Sequence, residues 1–349
     1  MLLDTILDRA LDDEVLSVCE IATLFDYPVY TDESARIIAA GIQKSRAACG
    51  TSEIHGQIGL DDGCCPRNCA FCAFAEDNRE SRPEWELSPA EAVHQAIEFE
   101  ADGANAIWLM TTARYPFSRF LEMGQEVRRS LKPETILIAN IGDLSARQAL
   151  QLVEAGFAGV YHAVRLGEGL DTDMPVQRRL ETLDNVREAG LTLGTCVEPV
   201  GPEHSIEELV EKTIITRDAS PCFSGVARRI VVPNTRLGEL GIVSEVRVAH
   251  MLAVVRLAMP MSVAGTCIYE PNSLGAAAGA NLFWAEAGAN QRDTAALMDD
   301  PRGLSVAECR RLFRETEWPL LDGPSRLFGG GSHGSATKLA VLPANRQGT

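Results

Sequence analysis

The sequence predicts an α/β protein, a TIM-type (β/α)8 or closely related barrel carrying a helical N-terminal extension. Three observations carry that expectation. About eight short apolar runs alternate with amphipathic helices over about 230 residues. Glycines follow the helices repeatedly, at Gly103, Gly156 and Gly190, as expected of C′ caps. The first fifty residues show helical spacing with no strand between them. A doubly wound sheet of six or seven strands is the competing arrangement, and about eight units favour the barrel over it. The expected divisions are a helical extension over 1–50, a barrel over 51–322 and a flexible Gly-rich tail over 323–349.

The elements follow in order. In the extension, Leu2, Leu3, Ile6, Leu7, Ala10 and Leu11 recur at helical spacing, and residues 34–48 repeat the pattern. The first strand is expected at 54–60. The helix after it, 89–99, opens with Ser88-Pro89-Ala90-Glu91, a capping box with proline in the first turn. Strands two to four are expected at 104–110, 135–141 and 159–164, separated by helices at 117–131 and 145–155. Helices 176–189 and 205–216 flank a fifth strand at 192–197. The last strands are placed at 226–232, 261–265 and 281–284, with a helix at 244–258 and a short one near Leu274.

Composition limits the function. Of 349 residues, 46% are hydrophobic and 23% charged, the balance of a soluble globular enzyme. No apolar run approaches the roughly 20 residues of a membrane span. The start, Met1-Leu2-Leu3-Asp4, lacks the basic and apolar regions of a secretory signal, so the expectation is a cytoplasmic protein with no membrane contact. A formal charge of −17 disfavours nucleic acid as a partner. Of ten cysteines, four lie between positions 64 and 72, and Cys19, Cys49, Cys196, Cys222, Cys267 and Cys309 are scattered. That distribution suits a metal site plus buried thiols.

Cys65-Pro66-Arg67-Asn68-Cys69-Ala70-Phe71-Cys72 lies after the first strand, on the face where barrels carry their chemistry. Fe–S clusters normally take four cysteines, so three thiolates would leave one iron of a [4Fe–4S] cube open to an exogenous chelator. Structural zinc wants four closed ligands, usually as two pairs, and no second pair lies nearby in sequence. A loop that merely happens to be Cys-rich is the third alternative. Cys64 is read as a neighbour of the ligands.

Cys-x3-Cys-x2-Cys with Phe71 before the last cysteine resembles the signature of the radical S-adenosylmethionine (SAM) superfamily. The surroundings resemble its biotin synthase-like group, which also contains an [FeFe]-hydrogenase maturase and methylornithine synthase. That resemblance runs over nearly the whole chain, including Leu180-Glu181-Thr182-Leu183-Asp184-Asn185-Val186-Arg187-Glu188-Ala189-Gly190 and Ala278-Gly279-Ala280-Asn281.

The resemblance implies a [4Fe–4S] cluster on Cys65, Cys69 and Cys72 that binds SAM through its open iron. Reductive cleavage of SAM would yield a 5′-deoxyadenosyl radical that takes hydrogen from an unactivated carbon. It also implies a reduced flavodoxin or ferredoxin as electron donor, and a small-molecule or carrier-protein-bound substrate. Thr111 and Thr112 stand where the family contacts the SAM amino group, or they simply finish a strand. Arg165 matches the carboxylate contact and Glu168 the ribose contact, with a solvated ion pair as the alternative. Val200 and Gly201 are adenine candidates, and His162 reads as a packed barrel histidine. Arg228, Arg229 and Glu270 could meet a charged substrate, or be salt-bridged.

Cys196, Cys222 and Cys267 either hold a second Fe–S cluster or are buried thiols behaving as small hydrophobes. Strands two and three lack the cysteines that biotin synthase has there, so an ordinary biotin synthase is not expected. The favoured reaction is sulfur insertion in biotin- or lipoyl-type cofactor biosynthesis, with a two-component lipoyl synthase and its partner radical SAM subunit as one home, and it requires the second cluster. Its absence would favour rearrangement or fragmentation in cofactor or amino-acid biosynthesis. A non-catalytic iron–sulfur carrier is the alternative from another class, and the long barrel pattern opposes it.

Overall fold

The N-terminal extension forms three helices, α1 (Leu2–Leu11), α2 (Val18–Asp26) and α3 (Asp32–Ala48). Ser17 and Glu20 build a capping box at the start of α2, and the Thr31 side chain caps α3. This is a computed structural model, and it describes residues 2–78, 83–233, 235–290 and 303–329.

Nine parallel strand segments follow. They are β1 (Glu53–Gly59), β2 (Ala106–Met110), β3 (Ile136–Asn140), β4 (Gly159–Tyr161), β5 (Thr192–Gly194), β6 (Val197–Val200), β7 (Phe223–Arg228), β8 (Gly265–Ile268) and β9 (Leu282–Gly288). Around them stand α4 (Pro89–Ala101), α5 (Phe117–Ser130), α6 (Ala146–Glu154), α7 (Val176–Glu188), α8 (Ile206–Asp218), α9 (Glu245–Ala258), α10 (Ser273–Ala277) and α11 (Val306–Glu315). β1 pairs with both β2 and β9, and the order runs β5-β4-β3-β2-β1-β9-β8-β7-β6. Gly194 of β5 meets Phe223 of β7, which closes the ring. β5 and β6 are two pieces of one barrel strand, broken at Thr195 and Cys196, so the barrel has the expected eight strands.

Two strand positions and one helix differ from expectation. The sixth begins three residues earlier, at Phe223, because that ring faces the barrel interior and Cys222 already donates to Leu193 O at 2.8 Å. The apolar run 261–264 is the turn after α9, closed by Val263 N donating to Pro260 O, and its strand starts at Gly265. Cys267 therefore lies inside β8 and not after it. Helix α11 was not anticipated, although Ser305 and Glu308 write its capping box in the sequence.

The barrel wall separates two apolar regions, as the two-residue period of a strand requires. Ile107 and Leu109 of β2 face the helices, while Ala106 and Trp108 face the lumen. Trp108, Phe223, Trp284 and Phe328 fill that lumen, with Trp108 and Trp284 edge to face at 5.4 Å between ring centroids. The extension packs outside the wall. An added Cβ on Gly41 of α3 would lie 2.8 Å from the Ala253 side chain of α9, so glycine permits that approach.

The expected tail needs correcting at its start. Glu53 is buried, and a buried carboxylate requires donors. His55 Nε2 supplies one at 2.9 Å, and Ser325 Oγ, Arg326 N and Leu327 N supply others at 2.5, 2.8 and 3.2 Å. Leu327 and Phe328 follow them into the lumen, so the chain through Gly329 plugs the lower end of the barrel. Residues 330–349 of the expected tail lie outside the described residues. Among the described residues, no helix is long and apolar enough to cross a membrane.

Candidate iron–sulfur and cofactor site

The cysteine loop leaves β1 at the C-terminal end of the barrel and is held by its own backbone. Cys65 N donates to Phe74 O at 2.8 Å, Glu76 N to Cys65 O at 3.0 Å and Cys72 N to Cys69 O at 2.9 Å. Asn78, which the sequence reading passed over, sits at the centre of the loop. Its Nδ2 lies 3.3, 3.2 and 3.0 Å from the carbonyl oxygens of Cys69, Ala70 and Cys72. Ala70 N donates to Asp171 O, and Asp173 N to Arg67 O, each at 2.8 Å, so the segment after β4 pins the loop to the barrel.

Cys65, Cys69 and Cys72 line one cavity together with Thr111, Thr112, Arg165 and Arg179. Burial pushes the Cys69 thiol up to about 11 and the Cys72 thiol to about 12. Ligation needs thiolates, so the charge of bound iron has to offset that burial. The donor set suits a three-cysteine [4Fe–4S] cluster. Structural zinc takes four closed ligands, whereas this cavity brings three cysteines together.

Thr112 is committed to a residue that was not foreseen. Its Oγ1 donates to Asp61 Oδ2 at 2.6 Å and its N to Asp61 Oδ1 at 2.8 Å. Burial raises the Asp61 pKa, with these two bonds opposing it. Thr111 lines the cavity half-buried, with its N–H donated to Asn140 O at 3.1 Å.

Arg165 lies on the cavity wall. Its Nε is 3.3 Å from Glu198 Oε1. Burial opposes its charge, but Glu168 and Glu198 outweigh burial and raise its pKa. Glu168 itself does not line the cavity. Its Oε1 accepts from Thr172 Oγ1 at 2.6 Å, while Oε2 accepts from Arg165 N at 3.1 Å and faces Arg179 Nε at 3.3 Å. Those partners consume the carboxylate expected for a ribose, and its place is behind the two arginines.

Arg179 is the cation that the sequence reading missed. It is buried on α7, lines the cavity and donates to Asp143 Oδ1 and Ala163 O, both at 3.0 Å. A charged residue among the buried positions of an amphipathic helix was the available signal. His162 packs nearby as a buried histidine, its pKa lowered to about 3 by burial first and Arg179 next. Val200 lines neither this cavity nor its neighbour, and Gly201 faces Glu203 and Arg229.

A second chamber adjoins the first, because Arg165 and Asn140 line both. Its walls carry Gln57, Tyr161, Glu198 and Arg228, and its floor is Trp108, Trp284 and Cys196. Tyr161 Oη donates to Glu198 Oε2 at 2.6 Å. Arg228 is bound to Glu270 at 2.6 Å and Arg229 to Glu203 at 2.7 Å, so these expected substrate contacts are paired. Cys196 Sγ lies 3.1 Å from Cys267 Sγ, and Cys222 packs against the same lumen cluster. Burial raises the Cys222 and Cys267 pKa values well above the ordinary range.

Residues 63–213 match the model of the Radical SAM superfamily, a span that holds all three loop cysteines, Arg165 and Arg179. Residues 63–213 therefore form a radical SAM domain. Its relatives include the biotin synthase of Zymomonas mobilis, 28% identical over 218 residues, or 59% of this chain and 64% of that one. The chain thus spans less than two thirds of that relative's length. The biotin synthase of Methylobacterium radiotolerans is 28% identical over 326 residues, 86% of this chain and 94% of that one. The crystal structure of methylornithine synthase superposes with a TM-score of 0.74 at 16% identity, covering 92% of this chain and 98% of the other. The hydrogenase maturase HydG of Carboxydothermus hydrogenoformans gives 0.71 at 18% identity, over 90% and 78%. At these identities the two structures establish a shared fold. The likenesses in sequence and fold both fall within the biotin synthase-like group of radical SAM proteins.

Proposed function

We propose that the protein is an enzyme that cleaves SAM reductively and applies the resulting radical to a small charged molecule, rearranging or fragmenting its carbon skeleton. The observation that carries this reading is the shared wall, where Arg165 and Asn140 face both the three-thiol cavity and the polar chamber. A [4Fe–4S] cluster with SAM supplies a 5′-deoxyadenosyl radical when bound.

The protein's own share is positioning and exclusion of water. Cys65, Cys69 and Cys72 would hold the cluster, and Arg165 and Arg179 offer guanidinium groups to a carboxylate. Thr111 and Thr112 offer oxygens to an ammonium. The paired charges of Arg228 with Glu270 and Arg165 with Glu198 suit a substrate that carries both signs. A reduced flavodoxin or ferredoxin would supply the electron.

Filling of the lumen supports a reaction without self-supplied sulfur. Trp108 of β2 and Ile138 of β3 occupy the interior on the two strands that lack cysteine, beside Trp284, Phe223 and Phe328. The second reading is sulfur insertion in biotin- or lipoyl-type biosynthesis. It draws on the biotin synthase relatives and on Cys196 and Cys267 meeting across 71 residues of sequence.

Iron and sulfide content with EPR, on anaerobically reconstituted protein, separates the two. We expect about four irons per chain, falling to none in a C65A/C69A/C72A variant. About eight irons falling to about four would establish a second cluster and favour sulfur insertion. Formation of 5′-deoxyadenosine from SAM and dithionite tests the enzymatic reading itself, and its absence from iron-replete protein would leave the iron–sulfur carrier.

A further inference from the structure

The lumen holds a pair of thiols that SAM cleavage does not use. Cys196 sits in the break between β5 and β6, where the strand leaves regular pairing and its side chain reaches the floor of the second chamber. It is 3% exposed, and Cys267, on β8, is fully buried behind it. The sulfurs are 3.1 Å apart, and Cys196 is the one that lines the chamber. Beside it the Trp284 Nε1–H, also buried and lining the chamber, has no acceptor within the described residues. The floor therefore presents a thiol and an unsatisfied N–H to whatever occupies the chamber.

A rearrangement or fragmentation started by removing one hydrogen atom leaves a carbon radical that must regain one. Among side chains the thiol is the natural donor, because its S–H bond is weaker than most C–H and O–H bonds. We propose that Cys196 delivers a hydrogen atom to the carbon radical in the second chamber and that Cys267 takes up the thiyl radical left behind. The inference rests on the reading without a second cluster, since cluster ligands could not donate hydrogen.

The steps balance. A product radical and Cys196–SH give product C–H and a Cys196 thiyl radical. The thiyl joins the Cys267 sulfur in a three-electron bond and Cys267 releases its proton, leaving a disulfide radical anion. One electron and two protons then restore both thiols. The electron comes from the same class of low-potential one-electron donor that reduces the cluster. A pair already in contact makes this cheap, because no backbone has to move for the sulfurs to meet.

The test needs no substrate. Reconstituted protein equilibrated in D2O carries S–D at Cys196. With SAM and dithionite and the chamber empty, that thiol and the phenols of Tyr161 and Tyr269 are the exchangeable hydrogen sources lining it. We expect wild type to form singly deuterated 5′-deoxyadenosine, and Cys196→Ser to lose the label, because a hydroxyl O–H is too strong to donate. Cys222→Ser, which removes a neighbouring thiol that does not line the chamber, should keep it. Unlabelled product from wild type, or equal label from Cys196→Ser, overturns the assignment.

The pair itself is read on the metal-free protein. Mild oxidation with diamide should link the peptides containing Cys196 and Cys267, and failure to link them removes Cys267 from the scheme. Absence of 5′-deoxyadenosine from every variant would instead sink the enzymatic reading. An eight-iron count would turn these thiols into ligands and end this inference while SAM cleavage stood.

Discussion

The two ends of the barrel lumen are built from the same parallel strands yet solve opposite problems. At the lower end, Glu53 is buried and every oxygen has a donor, from His55, Ser325 and the backbone of Arg326 and Leu327. Trp108 Nε1 closes the set by donating to His55 Nδ1 at 3.0 Å. At the upper end, polar atoms are left open. Trp284 Nε1 and Arg229 Nε are buried without partners among the described residues, and both residues line the second chamber. Satisfied polar groups rigidify, whereas unsatisfied ones at a cavity wall are poised for a ligand. The contrast marks the lower end as a structural plug and the upper end as the working face.

The largest expected effect falls on the upper end. Replacing any one of Cys65, Cys69 or Cys72 with alanine should abolish 5′-deoxyadenosine formation while the far-ultraviolet circular dichroism of the fold stays as in wild type. A variant that lost its fold as well would make the loop structural and erase the contrast.

At the lower end, Phe328→Ala should destabilise the protein by about 3–5 kcal/mol in urea unfolding, the usual range for a buried phenylalanine. Activity per folded molecule should hardly change. A loss well below about 1 kcal/mol would show that the plug contributes little to the fold.

Arg165→Ala should weaken SAM binding, measured calorimetrically on cluster-loaded protein, by about 1.5–3 kcal/mol, the range for hydrogen bonds to charged groups. Wild-type affinity in that variant would move the carboxylate contact to Arg179 alone. Asn78→Ala should speed iron loss to a chelator and lower stability by about 1 kcal/mol. Unchanged iron retention would show that the loop holds its shape without the side chain.

The smallest effect lies outside both ends. His250 is buried with Nδ1 2.8 Å from Ser34 Oγ and Nε2 2.9 Å from Leu24 O, tying α9 to α2 and α3. Burial lowers its pKa to about 4 from an ordinary 6.5. The folded value lies below the unfolded one, so its contribution is complete above pH 6.5 and fades as pH falls through about 4. The stability gap between wild type and His250→Gln, followed by thermal melting of the metal-free protein, should narrow across that window. A constant gap would show that the histidine does not titrate on unfolding.

Much of this was legible in the sequence, for reasons that differ by feature. Strand and helix order follows from periodicity, and the loop cysteines from spacing, since both are local. Misplaced strands arose where an apolar run served as a turn, as at 261–264, because hydrophobicity alone does not separate a turn packed under a helix from a strand. Glu168 read as a ligand contact because the stretch after strand four resembles the family's Arg- and Glu-bearing segment. Thr172 and Arg179, reaching the same carboxylate, could be seen only in three dimensions.

By itself the sequence determined the eight alternating units, the three-thiol loop after the first strand and the helical extension, each written in neighbouring residues. Tertiary structure alone decided which distant groups meet. It brought Arg179 to the cavity of the thiols, Ser325 to Glu53, and Cys196 within 3.1 Å of Cys267. The physical reason is closure of the barrel. Hydrogen bonding β5 to β7 turns a linear order of strands into a ring, so residues far apart in the chain share one lumen and compete there for the same few partners.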